Sequence, residues 1–294
     1  MTDVKDMILK TNDTQGVIGK FNRDKYQIFP YHLVEVSPWP IFTAFSIFGL
    51  TFNFALIMHG YIGIVNIFWL NIICLTYSIC LWVRDVVTES TYLGWHTLAV
   101  RRGINIGFIL FIVSEALFFA GVFWAYGHSA LAPTVELGAV WPPVNIEAIG
   151  PLELPLLNTI ILLASGATIT HSHHTFIAGY TNNIKTSNRN AALISLGLTI
   201  LLALIFSACQ YIEYTNAAFT ISDGVFGSVF YLGTGLHATH IITGTMFLSV
   251  AFWRMYAYHF TETHHVGYET TILMWHFLDV VWLILFVFFY WWGS

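Results

Sequence analysis

Seven stretches of the chain are apolar almost without interruption, and each is long enough to be a helix of about 20 residues, the length that crosses a bilayer. They fall near 39–60, 62–83, 103–130, 152–177, 190–212, 224–253 and 266–291. The first two are separated only by the HGYIG turn. The third and sixth approach 28–30 residues, or roughly 42–45 Å at 1.5 Å per residue, so they are expected to tilt or to project from the membrane. Residues 1–28 form a polar tail ahead of the first run. The pattern predicts an all-α integral membrane protein with seven transmembrane helices. The Pro- and Gly-rich connection 131–155 is expected to pack as a cap on the outer surface.

The distribution of charge sharpens this map. The basic residues are Lys5, Lys10, Lys20, Arg23, Lys25, Arg84, Arg101, Arg102, Lys185, Arg189 and Arg254. Seven spans place all 11 on one side of the membrane, while the opposite connections carry Glu136, Glu147, Glu213 and Asp223. Basic residues gather on the inner side of membrane proteins, so the N-terminus is expected inside and the C-terminus outside.

Composition agrees: 56% of residues are hydrophobic and 9% charged, and the mean hydropathy is +0.69. Soluble domains carry roughly 25% charged residues. The net charge of −5 and the lack of a basic–aromatic stripe argue against a nucleic-acid partner. Cys74, Cys80 and Cys209 read as small buried hydrophobes. Trp39, Trp69, Trp82, Trp95, Trp124, Trp141, Trp275, Trp282, Trp291 and Trp292 read mostly as interfacial belts. The N-terminal residues have neither a signal-peptide h-region nor the Arg-rich, acid-poor character of a transit peptide. Nucleotide-binding and hydrolase motifs are missing from the sequence.

Candidate chemistry is confined to a few polar positions. Glu115, His240 and Asp279 fall near the middle of their spans, where a charge costs about 2.5–3.5 kcal/mol on insertion scales. Glu115 is expected to carry a proton or to bond an imidazole such as His240 or His237. It is then either a proton-exchanging carboxyl or a hydrogen bond that fixes helix register. Eight histidines (His32, His96, His171, His173, His174, His259, His264 and His265) lie on the inner side. That number fits a di-iron site of the membrane desaturase type, but the spacing does not: there is no HxxxH, and HSHH is one residue short of HxxHH. Headgroup-facing histidines are the simpler reading, and no metal ligands are assigned. A solute or proton carrier using Glu115, His240 and Asp279 is the remaining alternative.

Several segments together carry a resemblance. SPWP (37–40), RDVVTEST (84–91), SEALFFAGVFWAYGHSALAPT (114–134), LGAVWPP (137–143), the 153–174 segment ending in HSHH, GLHATH (235–240), HHVGYETT (264–271) and HFLDVVWLILFVFFYWWGS (276–294) resemble subunit three of the mitochondrial cytochrome c oxidases. The resemblance implies two helices splayed from five, with phospholipids held in the cleft between them. It implies a proton-translocating complex that oxidises ferrocytochrome c and reduces oxygen, in the mitochondrial inner membrane. The N-terminus would lie in the matrix and the C-terminus in the intermembrane space.

The resemblance further implies no catalytic or redox centre in this chain, with haem a, haem a3 and copper held by partner subunits. Subunit one is the expected main contact, other subunits follow, and respiratory supercomplexes are a further setting. Glu115 would be the family's carbodiimide-sensitive carboxyl, and Glu89, His96, Arg254 and His259 would contact phospholipid. Thr88 and Trp95 depart from the basic residue and the histidine of animal relatives, which puts the headgroup contacts near 84–96 in doubt.

Overall fold

The structure, a computed structural model, describes residues 29–181, 185–261 and 263–294; the polar tail 1–28 lies outside them. Among the described residues, seven helices are long and apolar enough to cross a membrane. They are α1 (Trp39–Met58), α2 (Val65–Thr91), α3 (Leu98–Leu131), α4 (Leu154–Thr181), α5 (Lys185–Asn216), α6 (Gly224–Tyr256) and α7 (Val266–Leu285). The last continues as a π-helical turn, Phe286–Trp291. The described residues divide into two compact units, 29–104 and 105–294, with the boundary inside α3.

Several helices outrun their apolar stretches. α2 continues to Thr91, so Arg84, Asp85 and Glu89 ride on helical turns beyond the apolar run. It ends where Gly94 takes φ +65° and the Trp95 N–H bonds back to the Glu89 carbonyl. That left-handed step favours glycine. α1 ends the same way at Gly60, with φ +90°. α3 starts at Leu98 and takes in Arg101 and Arg102. Helices persist into polar sequence because the backbone bonds are internal to the helix and need no apolar side chains.

In the first unit, α1 is inside-out by the standards of a soluble protein. Its buried positions are Thr43, Ser46 and Asn53, while Phe42, Phe45, Phe48 and Phe52 are exposed. Lipid is as apolar as phenylalanine, so nothing drives those rings inward, and small or hydrogen-bonding residues hold the helices together. Thr43 Oγ1 donates to Ser78 Oγ at 3.1 Å. Gly49 faces Asn71, whose Oδ1 would lie 2.5 Å from an added Cβ. Trp39 Nε1 donates to Asp85 Oδ2 at 2.5 Å, and Arg84 holds the other carboxylate oxygen from its own helix at 2.8 Å. We expect Trp39→Phe to cost this unit about 1 kcal/mol, read as earlier thermal loss of the subunit from its complex. No shift on removing the indole N–H would show that the bond contributes nothing.

The second unit is built around aromatic residues that bond inward. Trp275 and Trp282 are fully buried; their Nε1 atoms donate to Ser165 Oγ and Thr159 Oγ1, both at 2.9 Å. This overturns the belt expectation for these two: a buried indole needs a partner for its N–H, and α4 supplies hydroxyls at the right depth. α4 and α5 are tied by Thr168–Thr199 at 2.8 Å and by Ser172 Oγ donating to the Ala192 carbonyl at 2.7 Å. Part of the 131–155 connection packs on the core of this unit. Trp141 lies edge-on to Tyr126 and donates to its hydroxyl at 3.1 Å, while Ile146, Ala148 and Ile149 cover the core. The cysteine expectation fails: Cys74 and Cys80 are exposed on their unit and Cys209 is half-buried, as lipid-facing thiols can be.

Candidate functional site

Glu115 on α3 and His240 on α6 meet. His240 Nε2 lies 2.9 Å from Glu115 Oε2, and His240 Nδ1 lies 2.8 Å from the Leu236 carbonyl oxygen of its own helix. A carbonyl only accepts, so Nδ1 carries a hydrogen and donates it. The bond between Nε2 and the carboxyl then needs one more proton. It sits either on the carboxyl, which donates to the imidazole, or on the imidazole, which donates to the carboxylate. The pair is therefore a single-proton bridge between two helices, with the Phe119 ring 5.3 Å from the imidazole.

His237, the other candidate partner, is not there. One helical turn away, it is buried against Trp282 and Phe206 and its Nε2 donates to the Leu278 carbonyl at 3.3 Å. Asp279 stands apart as well. Its Oδ2 accepts from His276 Nδ1 at 3.3 Å, and His276 Nε2 lies 3.1 Å from Thr170 Oγ1. Gly166 makes room for this carboxylate, since a Cβ there would come within 2.5 Å of Asp279 Oδ2. The midplane groups thus form two separate pairs. His276 was not singled out from sequence, although its i, i+3 spacing from Asp279 was visible.

Glu213 was also missed, being counted among the acids of an outer connection. It lies on the last turn of α5, buried, and its Oε1 accepts from Tyr290 Oη at 2.6 Å and Gln210 Nε2 at 3.2 Å. The π-helical turn after α7 carries Tyr290.

The expected headgroup residues divide between the units. Glu89 and His96 lie in the first, beside His32, whose Nδ1 is 3.9 Å from Glu89 Oε2 and whose ring is 5.8 Å from that of His96. With Trp82, Asp85 and Trp95 they line a groove of about 810 Å³. Arg254 and His259 lie in the second unit. The Arg254 guanidinium sits 4.5 Å from the Phe260 ring centre, and His259 lies edge-on to Trp253. Burial, and then the Arg254 charge, lowers the His259 pKa and favours the neutral imidazole.

The eight histidines do not converge on one di-iron centre among the described residues. Two three-ligand groups form instead, His32–Glu89–His96 in the first unit and His173–His265–Glu269 in the second. Residues 173 and 265 are too far apart in the chain for their spacing to suggest a shared site.

A family model for cytochrome c oxidase subunit III matches residues 29–294. The chain belongs to the cytochrome c oxidase subunit III family. It is 59% identical over 271 residues to cytochrome c oxidase subunit 3 of Lachancea kluyveri, covering 92% of this chain and 98% of that protein. The Saccharomyces cerevisiae protein of the same name matches at 59% with the same coverage. That of Podospora anserina is 54% identical over 272 residues, again 92% of this chain and 98% of the relative. As a subunit III, the chain is an all-α, multi-pass membrane protein and a subunit of cytochrome c oxidase, the respiratory oxidoreductase complex. It acts with the other subunits of that complex.

Proposed function

We propose that this subunit III is a non-redox scaffold, docked chiefly on subunit one, that keeps proton uptake durable through turnover and holds phospholipid in the Glu89–His96 groove and at Arg254–His259. In this reading haem a, haem a3 and the copper centres lie in partner subunits, and the complex sits in the mitochondrial inner membrane, within supercomplexes where these form. The N-terminus faces the matrix and the C-terminus the intermembrane space. One observation carries the proposal: Glu115 on α3 pairs with His240 on α6, and the Asp279–His276 pair of α7 reaches α4 through Thr170. Polar bonds of this kind between helices fix their register.

Purification in mild detergent tests it. The chain should migrate with a haem-bearing partner and lose all visible absorption when stripped away. The complex left behind should begin at near-normal turnover and then lose activity over successive cycles. A Soret band that stays with the isolated chain would refute the scaffold reading. So would unchanged durability of the depleted complex.

A further inference from the structure

We infer that His173, His265 and Glu269 form a binding site for one divalent zinc ion, clamping α4 to the start of α7. His265 precedes the first turn of α7 and Glu269 follows it by four residues, so both side chains share a helix face. His173 reaches them from α4. His265 Nε2 lies 3.1 Å from Glu269 Oε1 and 3.4 Å from His173 Nε2. The three ligand atoms all lie within 4.8 Å of one another. Tetrahedral zinc with bonds of about 2.0–2.1 Å spaces its ligand atoms roughly 3.3–3.4 Å apart. Two of the required separations are thus already present, and the third closes with a rotation of the Glu269 carboxylate.

The protons point the same way. His265 Nδ1 lies 2.9 Å from the Thr261 carbonyl oxygen, an acceptor, so Nδ1 carries the hydrogen. That carbonyl is fixed in turn by the His264 N–H at 3.2 Å, in the one-residue bridge between Thr261 and His264. With the hydrogen on Nδ1, the ring presents Nε2 to a carboxylate oxygen and to a second imidazole nitrogen, three atoms that one zinc ion can bridge. A backbone carbonyl holding the far nitrogen of a ligating imidazole is the usual outer support of a zinc site.

The rings are also held in place. Tyr268 lies edge-on to His173 at 5.6 Å and Phe176 edge-on to His265 at 5.6 Å, while Tyr268 Oη donates to Ser172 Oγ at 2.7 Å. His265 is buried, whereas Glu269 is 43% exposed and opens the site on one side. Water completes the fourth position from that side, and the ion enters there. Two imidazoles, one carboxylate and one open position form a donor set suited to zinc.

The test is equilibrium binding of radioactive zinc to the purified, chelator-washed whole complex, comparing the parent with His173→Asn, His265→Asn and Glu269→Gln. Zinc held by other subunits cancels in the comparison. The parent should bind one more zinc per complex than either histidine variant. Glu269→Gln should keep the assembly intact and weaken that one site at least tenfold, because only an exposed carboxylate is changed. If a histidine variant does not assemble, the Glu269→Gln comparison decides alone. Equal stoichiometry and affinity for the parent and Glu269→Gln would overturn the proposal and leave the three groups sharing a proton and no metal.

Discussion

Replacing His240 by leucine is expected to destabilise the subunit by about 2.5–3.5 kcal/mol, the cost of a lone carboxylate at the centre of a membrane helix. Glu115 loses the imidazole 2.9 Å away and must either take a proton or remain an unpaired charge in an apolar zone. The double variant Glu115→Leu, His240→Leu should recover most of that loss, because removing both partners leaves no orphan. Glu115→Gln should be close to neutral for stability and for turnover. His240 Nδ1 donates to the Leu236 carbonyl, so Nε2 can accept from the new amide N–H. Titrating the purified complex with denaturing detergent and following release of the subunit reads all three. A double variant no more stable than His240→Leu alone would mean that the loss does not come from an orphaned Glu115. Lost turnover in Glu115→Gln would make the carboxyl an obligatory proton carrier, and the register-fixing role would fail.

The second large effect lies where α5 ends. Tyr290→Phe removes the donor that reaches Glu213 Oε1 at 2.6 Å and leaves the buried carboxyl with Gln210 alone, at 3.2 Å. A hydrogen bond to a charged or buried carboxyl contributes about 1.5–3 kcal/mol, and a loss of that size is expected. Pairing Tyr290→Phe with Glu213→Met should restore a good part of it, since the group that needed the phenol is gone. Thermal denaturation of the complex, with this subunit followed by antibody, is the measurement. A single variant indistinguishable from the parent would show that the phenol is not what satisfies Glu213.

The spans were legible because lipid imposes one rule on the residues facing it, and runs such as 190–212, with Ile194, Leu198, Leu201 and Leu204 exposed, follow it closely. Helix ends were not, because Arg84, Asp85 and Glu89 continue α2 on backbone bonds alone until Gly94 turns it. Both members of the Glu115–His240 pair were on the candidate list, but His237 stood beside them at a spacing of three. Only the rotation of α6 decides which imidazole meets α3. Depth along a span can be counted, whereas orientation about its axis cannot. Trp275 and Trp282 were misread for that reason: the same letters serve at an interface or in a core, and Ser165 and Thr159 on another helix decide between them. His173 and His265 were each noticed among eight histidines, yet their meeting depends on how α4 packs on α7.

The reversed burial of α1 has a practical corollary. Where Thr43 and Ser78 clasp across the hairpin, the adhesive is strongest in a dry medium, since hydroxyls deprived of water have only each other. A micelle that admits water to that seam supplies rival partners. The choice of surfactant therefore bears more heavily on residues 29–104 than on the aromatic bundle that follows, and short-chain, well-hydrated detergents should loosen the hairpin first.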